Sequence, residues 1–126
     1  MIAAIFNHDE ARKIAEDWIG AWNNRELDRI ISHYADDVEF SSPTVMTRWG
    51  EPSGVLRGKA KLREHFRCGL EVFGANARFQ LLDVLSGVNG YTLYYRREDG
   101  ATVAETVLVD ADGKAQRVNV HYARIK

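Results

Sequence analysis

The chain is short of several things, and each shortage excludes something. It has one cysteine, Cys68, in 126 residues, which rules out an internal disulfide framework and a cysteine-based zinc site. Two prolines and ten glycines argue against a disordered chain. Neither sign of charge dominates: 17 Lys and Arg stand against 18 Asp and Glu, a net charge of −1. An electrostatic nucleic-acid binder needs a basic surplus, so no nucleic-acid partner is expected. No apolar run approaches the roughly 18 residues of a membrane span. The stretch Met1 to Asp9 is not patterned as a signal peptide, so no membrane partner and a cytoplasmic setting are the expectation. No His-x-His or His-x-x-x-His pair and no carboxylate cluster marks a metal site. There is no glycine-rich phosphate loop and no G-x-S-x-G elbow, so neither metal nor cofactor is expected. Repeats and linkers are also missing, which leaves a single domain spanning residues 1–126.

What is present is an ordinary globular composition, 45% hydrophobic and 28% charged, with three Trp, five Tyr and five Phe. The spacing of Ala11, Ile14, Ala15, Trp18, Ala21 and Trp22 predicts a helix from about Asp9, its N-cap, to Asn23. Leu27, Ile30, Ile31 and Tyr34 predict a second, from about Leu27 to Tyr34. Val38 to Ser42 reads as a strand closed by Pro43. Thr44 to Leu56, punctuated by Gly50, Pro52 and Gly54, reads as a loop whose Met46 and Trp49 suit a lid. A third helix follows Gly58 and runs to about Phe73, capped by Gly74. Four strands follow, at about Arg78 to Leu85, Tyr91 to Arg97, Thr102 to Val109 and Ala115 to Ala123, and Asp-Gly turns mark them as antiparallel. The order predicts an α+β fold with helices on one face of a curved sheet.

Hairpin geometry locates an inner face. A four-residue loop over Asp110 to Gly113 pairs Val109 with Lys114 and Glu105 with Val118. Val103, Glu105, Val107, Val118, Val120 and Tyr122 then share one face, and Arg117, Asn119 and His121 fall on the other. Glu105 becomes a lone carboxyl in an apolar wall, where desolvation raises its pKa and fits it for acid/base work. The structural alternative is a glutamate at a sheet edge or paired with an arginine. His65, on the apolar face of the third helix, is the second candidate, and its alternative is a satisfied core histidine. Trp18 and Trp22 read either as ligand platform or as plain core.

The run Ile31-Ser-His-Tyr-Ala-Asp-Asp-Val-Glu-Phe-Ser-Ser-Pro43 resembles a signature of the nuclear transport factor 2-like superfamily, in its SnoaL-like and ketosteroid isomerase-like branch. So do Leu56-Arg-Gly-Lys-Ala-Lys-Leu62 and Val109-Asp-Ala-Asp-Gly-Lys114. The resemblance spans about Asp9 to Tyr122. It implies a cystatin-like, cone-shaped α+β fold, a curved antiparallel sheet wrapped around N-terminal helices with a pocket between them, and often a homodimer through the outer sheet face. Carried over by position, the isomerase's oxyanion tyrosine is Trp18 here. Its protonated acid, a member of the oxyanion hole, is Glu105, and its supporting tyrosines are Tyr34 and Phe66. Its general-base aspartate is Ser42, which cannot take a carbon-bound proton unaided, so the resemblance does not extend to steroid isomerisation.

These residues define the expectation. A SnoaL-like protein holds a small hydrophobic or aromatic molecule in an enclosed apolar pocket. Glu105 and His65 are the catalytic candidates, and Trp18, Trp22, Tyr34, Ser42, Trp49, Phe66, Val103, Val120 and Tyr122 form the ligand-binding lining. The chemistry implied is cofactor-free acid/base catalysis of the isomerase, polyketide cyclase or hydratase/hydrolase kind. The alternative is a non-catalytic ligand-binding or dimerisation module.

Overall fold

The computed structural model describes residues 5–75 and 78–124. The leading residues 1–4, on which part of the signal-peptide reading falls, lie outside them. Ten elements follow one another: α1 (His8–Asn23), α2 (Leu27–Ile31), β1 (Tyr34–Ser41), α3 (Pro43–Trp49), β2 (Val55–Arg57), α4 (Lys59–Phe73), β3 (Gln80–Gly87), β4 (Gly90–Arg96), β5 (Thr102–Val109) and β6 (Ala115–Tyr122). The strands form one curved open sheet in the order β2-β1-β6-β5-β4-β3. The α1 helix lies against β3 and β4, and α4 lies against β1 and β2. The core therefore fills the concave side, as the α+β expectation requires.

Helix α1 buries its predicted stripe, with Ala11, Ala15, Trp18, Ala21 and Trp22 all inside. Its cap is Asn7 rather than Asp9: the Asn7 side chain accepts from the Glu10 amide at 2.9 Å. Helix α4 begins after Gly58 and ends at Gly74, as its sequence implies.

Three expectations about the elements themselves need correction. First, α2 stops at Ile31, and Tyr34 opens β1 by pairing with Ala115. Tertiary pairing overrides a helical period that continues for only one more residue. Second, the expected loop after Pro43 contains a helix and a strand. Ser42 accepts from the Thr44 amide at 3.2 Å, Pro43 occupies the first turn, and Gly50 closes α3 in the left-handed region at φ 65°. This is a complete start and stop signal. Third, the sheet is not wholly antiparallel, because β1 runs parallel to β6.

The β5–β6 register also differs, by two residues. Glu105 faces Val120 and Val107 faces Val118, with an irregularity between Leu108 and Val109 near the turn. A shift of two preserves side-chain parity, so the inner face still carries Val103, Glu105, Val107, Val118 and Val120, all buried. His121 is exposed on the outer face. The β4–β5 hairpin is tied closely at Gly90, where a Cβ would sit 1.9 Å from the Val107 carbonyl oxygen. Only glycine fits there.

Candidate functional site

Sheet parity and helix α1 converge on one buried cluster. Glu105 enters from β5 at 5% exposure. Burial pushes its carboxyl up to about 7, opposed by a hydrogen bond from Tyr95 and by the positive charge of Arg97. The Tyr95 hydroxyl donates to Glu105 Oε2 at 2.5 Å. No hydrogen bond among the described residues engages Oε1. Trp18 reaches in from α1 and donates its indole N–H to the Tyr34 hydroxyl at 2.9 Å. Burial raises the Tyr34 phenol well above its ordinary value, and the nearby Glu105 charge adds to the rise. Burial likewise raises the Tyr95 phenol well above its ordinary value, so both hydroxyls keep their protons at physiological pH.

Aromatic rings pack around this cluster. Trp18 meets Tyr95 edge-on at 5.4 Å and Trp22 meets Phe66 at 5.3 Å. Phe79 lies 5.2 Å from Tyr95 and 5.4 Å from Trp22. Between the rings runs a cleft of about 40 Å³, lined by Trp18, Trp22, Phe66, Glu105, Val120 and Tyr122 among others. His65 lines the same cleft. That volume holds a few water molecules at most, so the rings close tightly on each other. Behind Glu105 a smaller void of about 10 Å³ is bounded by Trp18, Tyr34 and Tyr91. A much larger hollow of about 550 Å³ lies outside, between Trp49 and Glu64. Among the residues that line it, none is a buried titratable group.

His65 is 3% exposed on α4. The Trp49 indole N–H, which can only donate, points at His65 Nδ1 at 2.9 Å, and Arg48 approaches the same nitrogen at 3.3 Å. Nδ1 is therefore the acceptor, and the ring proton sits on Nε2, which donates to the Thr44 hydroxyl at 3.1 Å. Thr44 and Ser42 share a hydrogen bond of 2.8 Å. Burial and the Arg48 charge bring the His65 pKa down to about 4, so the ring is neutral. With both nitrogens engaged, His65 fastens α3 to α4.

The eleven sequence candidates thus divide. Glu105, His65, Trp18, Trp22, Phe66, Val120 and Tyr122 meet at the cleft. Tyr34 lies behind it, against Trp18 and Glu105. Ser42 is buried as the α3 cap. Trp49 covers His65 from outside at 43% exposure, and Val103 is packed in the core at 1%. Sequence reasoning missed Tyr95, Arg97, Arg48 and Thr44. A signal for the first two was present: Tyr91, Leu93 and Tyr95 alternate inward along β4, and Arg97 is the next position of that parity. Among the described residues no group of His, Cys, Asp or Glu is placed to hold a metal ion. No helix among them is long and apolar enough to cross a membrane.

Comparison with known proteins fits this architecture. A SnoaL-like protein of unknown function from Burkholderia thailandensis E264 shares 34% identity, over 96% of this chain and 100% of its own, with a TM-score of 0.91. A protein of unknown function with a cystatin-like fold from Methylobium petroleophilum PM1 superposes with a TM-score of 0.71 at 15% identity, over 98% of this chain and 82% of its own. A Kribbella flavida DSM 17836 protein named for ketosteroid isomerase superposes with a TM-score of 0.65 at 14% identity, over 94% and 81%. These last two show the fold alone. No curated protein matches the chain significantly. The curved sheet and its helices have a source in the SnoaL-like domain, whose family description matches residues 15–124: the chain belongs to the SnoaL-like domain family.

Proposed function

We propose that the protein binds a small, largely apolar or aromatic molecule against Glu105 and performs cofactor-free acid/base chemistry on it, of isomerase, cyclase or hydratase/hydrolase type. The observation that carries this reading is a carboxyl buried among aromatic rings with a pKa near 7. Such a group is half protonated at neutral pH. Its acid form gives a proton to a carbonyl or enolate oxygen, and its ionised form removes one from an acidic C–H or O–H. Tyr95 holds Oε2 and leaves Oε1 for the ligand. His65 acts in this reading as a positioning residue: neutral and fixed, it presents the Thr44 hydroxyl to the cleft. Entry of anything larger than water requires the rings to part. In this reading the segment that moves is α3, which lines the cleft with Thr44 and Arg48 and is tied to α4 through side-chain contacts to His65. We further propose that a second copy of the chain covers the outer sheet face, where Leu85, Tyr94 and Leu108 are exposed.

The test uses naphthol, a planar aromatic with one ionisable hydroxyl, followed by fluorescence. Its hydroxyl donates to the ionised carboxyl, so affinity for the wild-type chain rises as pH passes upward through about 7. Glu105→Gln removes that dependence. An identical pH profile in both proteins overturns the role given to Glu105. The alternative, a binding module in which Glu105 only anchors the ligand, predicts the same binding profile with no turnover of enolisable ketones.

A further inference from the structure

Glu105 accounts for one polar end of the cleft, and the remaining charged groups that line it are cations. Among the described residues, two buried side-chain nitrogens have no hydrogen-bond partner: Trp22 Nε1 and Arg97 Nε. Both are donors, and both belong to side chains that line this cleft. Arg48 lines it as well. Neither arginine takes part in any ion pair among the described residues. Arg97 instead lies among rings, its guanidinium carbon 4.1 Å from the Phe73 centroid and 5.5 Å from that of Tyr122, with one N–H given to the Tyr122 hydroxyl at 3.2 Å. Arg48 gives one N–H to the His65 carbonyl at 2.8 Å; burial is what chiefly disfavours its charge, and the charge of Arg97 adds a little to that.

Two guanidinium groups that line one half-buried cleft without an ion pair are costly unless an anion joins them. Glu105 is the one acid that lines the cleft, and its Oε2 is already held by Tyr95. The rings beside Arg97 favour a flat ligand, and the planar fork of a guanidinium matches a carboxylate. We infer that Arg97 and Arg48 form a carboxylate-binding subsite, so that the ligand is a small planar aromatic or unsaturated acid, its carboxylate on the arginines and its reacting end toward Glu105. This rests on the reading of the cleft as a binding site, and it narrows the ligand from apolar molecules in general to organic acids.

The experiment compares naphthol with a hydroxynaphthoate that carries a carboxylate at the opposite end of the same ring system, titrated into the full chain at neutral pH. The wild type binds the acid about tenfold or more tightly than the naphthol, and raising salt from about 0.05 to about 0.5 M weakens the acid selectively. Arg97→Met and Arg48→Met each reduce the ratio of the two affinities toward one. The inference is overturned if the acid binds the wild type no more tightly than the naphthol, fails to bind, or keeps its advantage in both variants. Because the wild-type ratio and its salt dependence decide alone, a variant that fails to fold does not protect the proposal. An arginine-dependent advantage whose pH profile is indifferent to Glu105→Gln upholds the subsite and removes the acid/base role. A Glu105-dependent profile with no advantage for the acid does the reverse.

Discussion

Glu105 and His65 are two buried titratable residues that line one cleft, and burial moves their pKa values in opposite directions. The carboxyl rises from 4.5 to about 7, and the imidazole falls from 6.5 to about 4. Between about pH 4.5 and 6.5 the folded chain therefore holds a proton on Glu105 that the unfolded chain has lost, so stability falls as pH rises. Over the same range the unfolded chain holds a proton on His65 that the folded chain refuses, so stability rises with pH. Each slope is about one proton and they nearly cancel. Denaturant titrations are expected to show little change for the wild type across this window, a rise with pH for Glu105→Gln and a fall with pH for His65→Gln. Parallel profiles for the two variants would contradict the burial argument. Ionising Glu105 in its present surroundings costs up to about 3 kcal/mol, so Glu105→Gln is also more stable than wild type at pH 8. Tyr95→Phe removes the donor that favours the carboxylate, and the Glu105 midpoint, read by NMR, then moves above 7. At this scale the sequence was largely readable. Alternation along β5 is enough to turn Glu105 inward, and the same alternation along β4 reaches Arg97. The partners of His65 were not readable, because Trp49 and Arg48 meet it only through the fold of α3.

Among the elements, α3 is the one proposed to move when the cleft opens. Its cap, its proline and its closing glycine were all visible between Ser42 and Gly50, yet the glycines and second proline that follow make the whole stretch read as a loop. Short helices nucleate poorly by themselves, and seven residues hold here because the cap and the His65 contacts support them. Ser42→Ala removes a cap worth about 1 kcal/mol. Amide exchange over residues 44–50 is expected to accelerate in that variant while α4 keeps its protection. Equal acceleration in both helices would mean that α3 does not move as a unit. The α2 boundary was misread for a related reason: Tyr34 continues the helical period, but its backbone pairs with β6 and its hydroxyl meets Trp18. Local periodicity cannot see a partner 81 residues away.

For the whole molecule, the antiparallel run from β3 to β6 follows from hairpin turns, and the curved α+β fold was legible from it. The parallel β1–β6 pairing was not, because no turn specifies it and only the completed sheet brings those strands together. The outer face is the remaining expectation at this scale. If a second copy covers Tyr94 and Leu108, sedimentation of the wild type gives a dimer mass, and Tyr94→Arg combined with Leu108→Lys gives a monomer. A monomeric wild type at high concentration removes the homodimer from the account. The acid/base reading at the centre of the account depends on one carboxyl retaining its proton near neutrality inside a well-packed chain. The direct measurement is the side-chain carboxyl carbon resonance of Glu105, followed by NMR through a pH titration of ¹³C-labelled protein and assigned with Glu105→Gln. The account predicts a midpoint near 7; a midpoint near the ordinary 4.5 would contradict it.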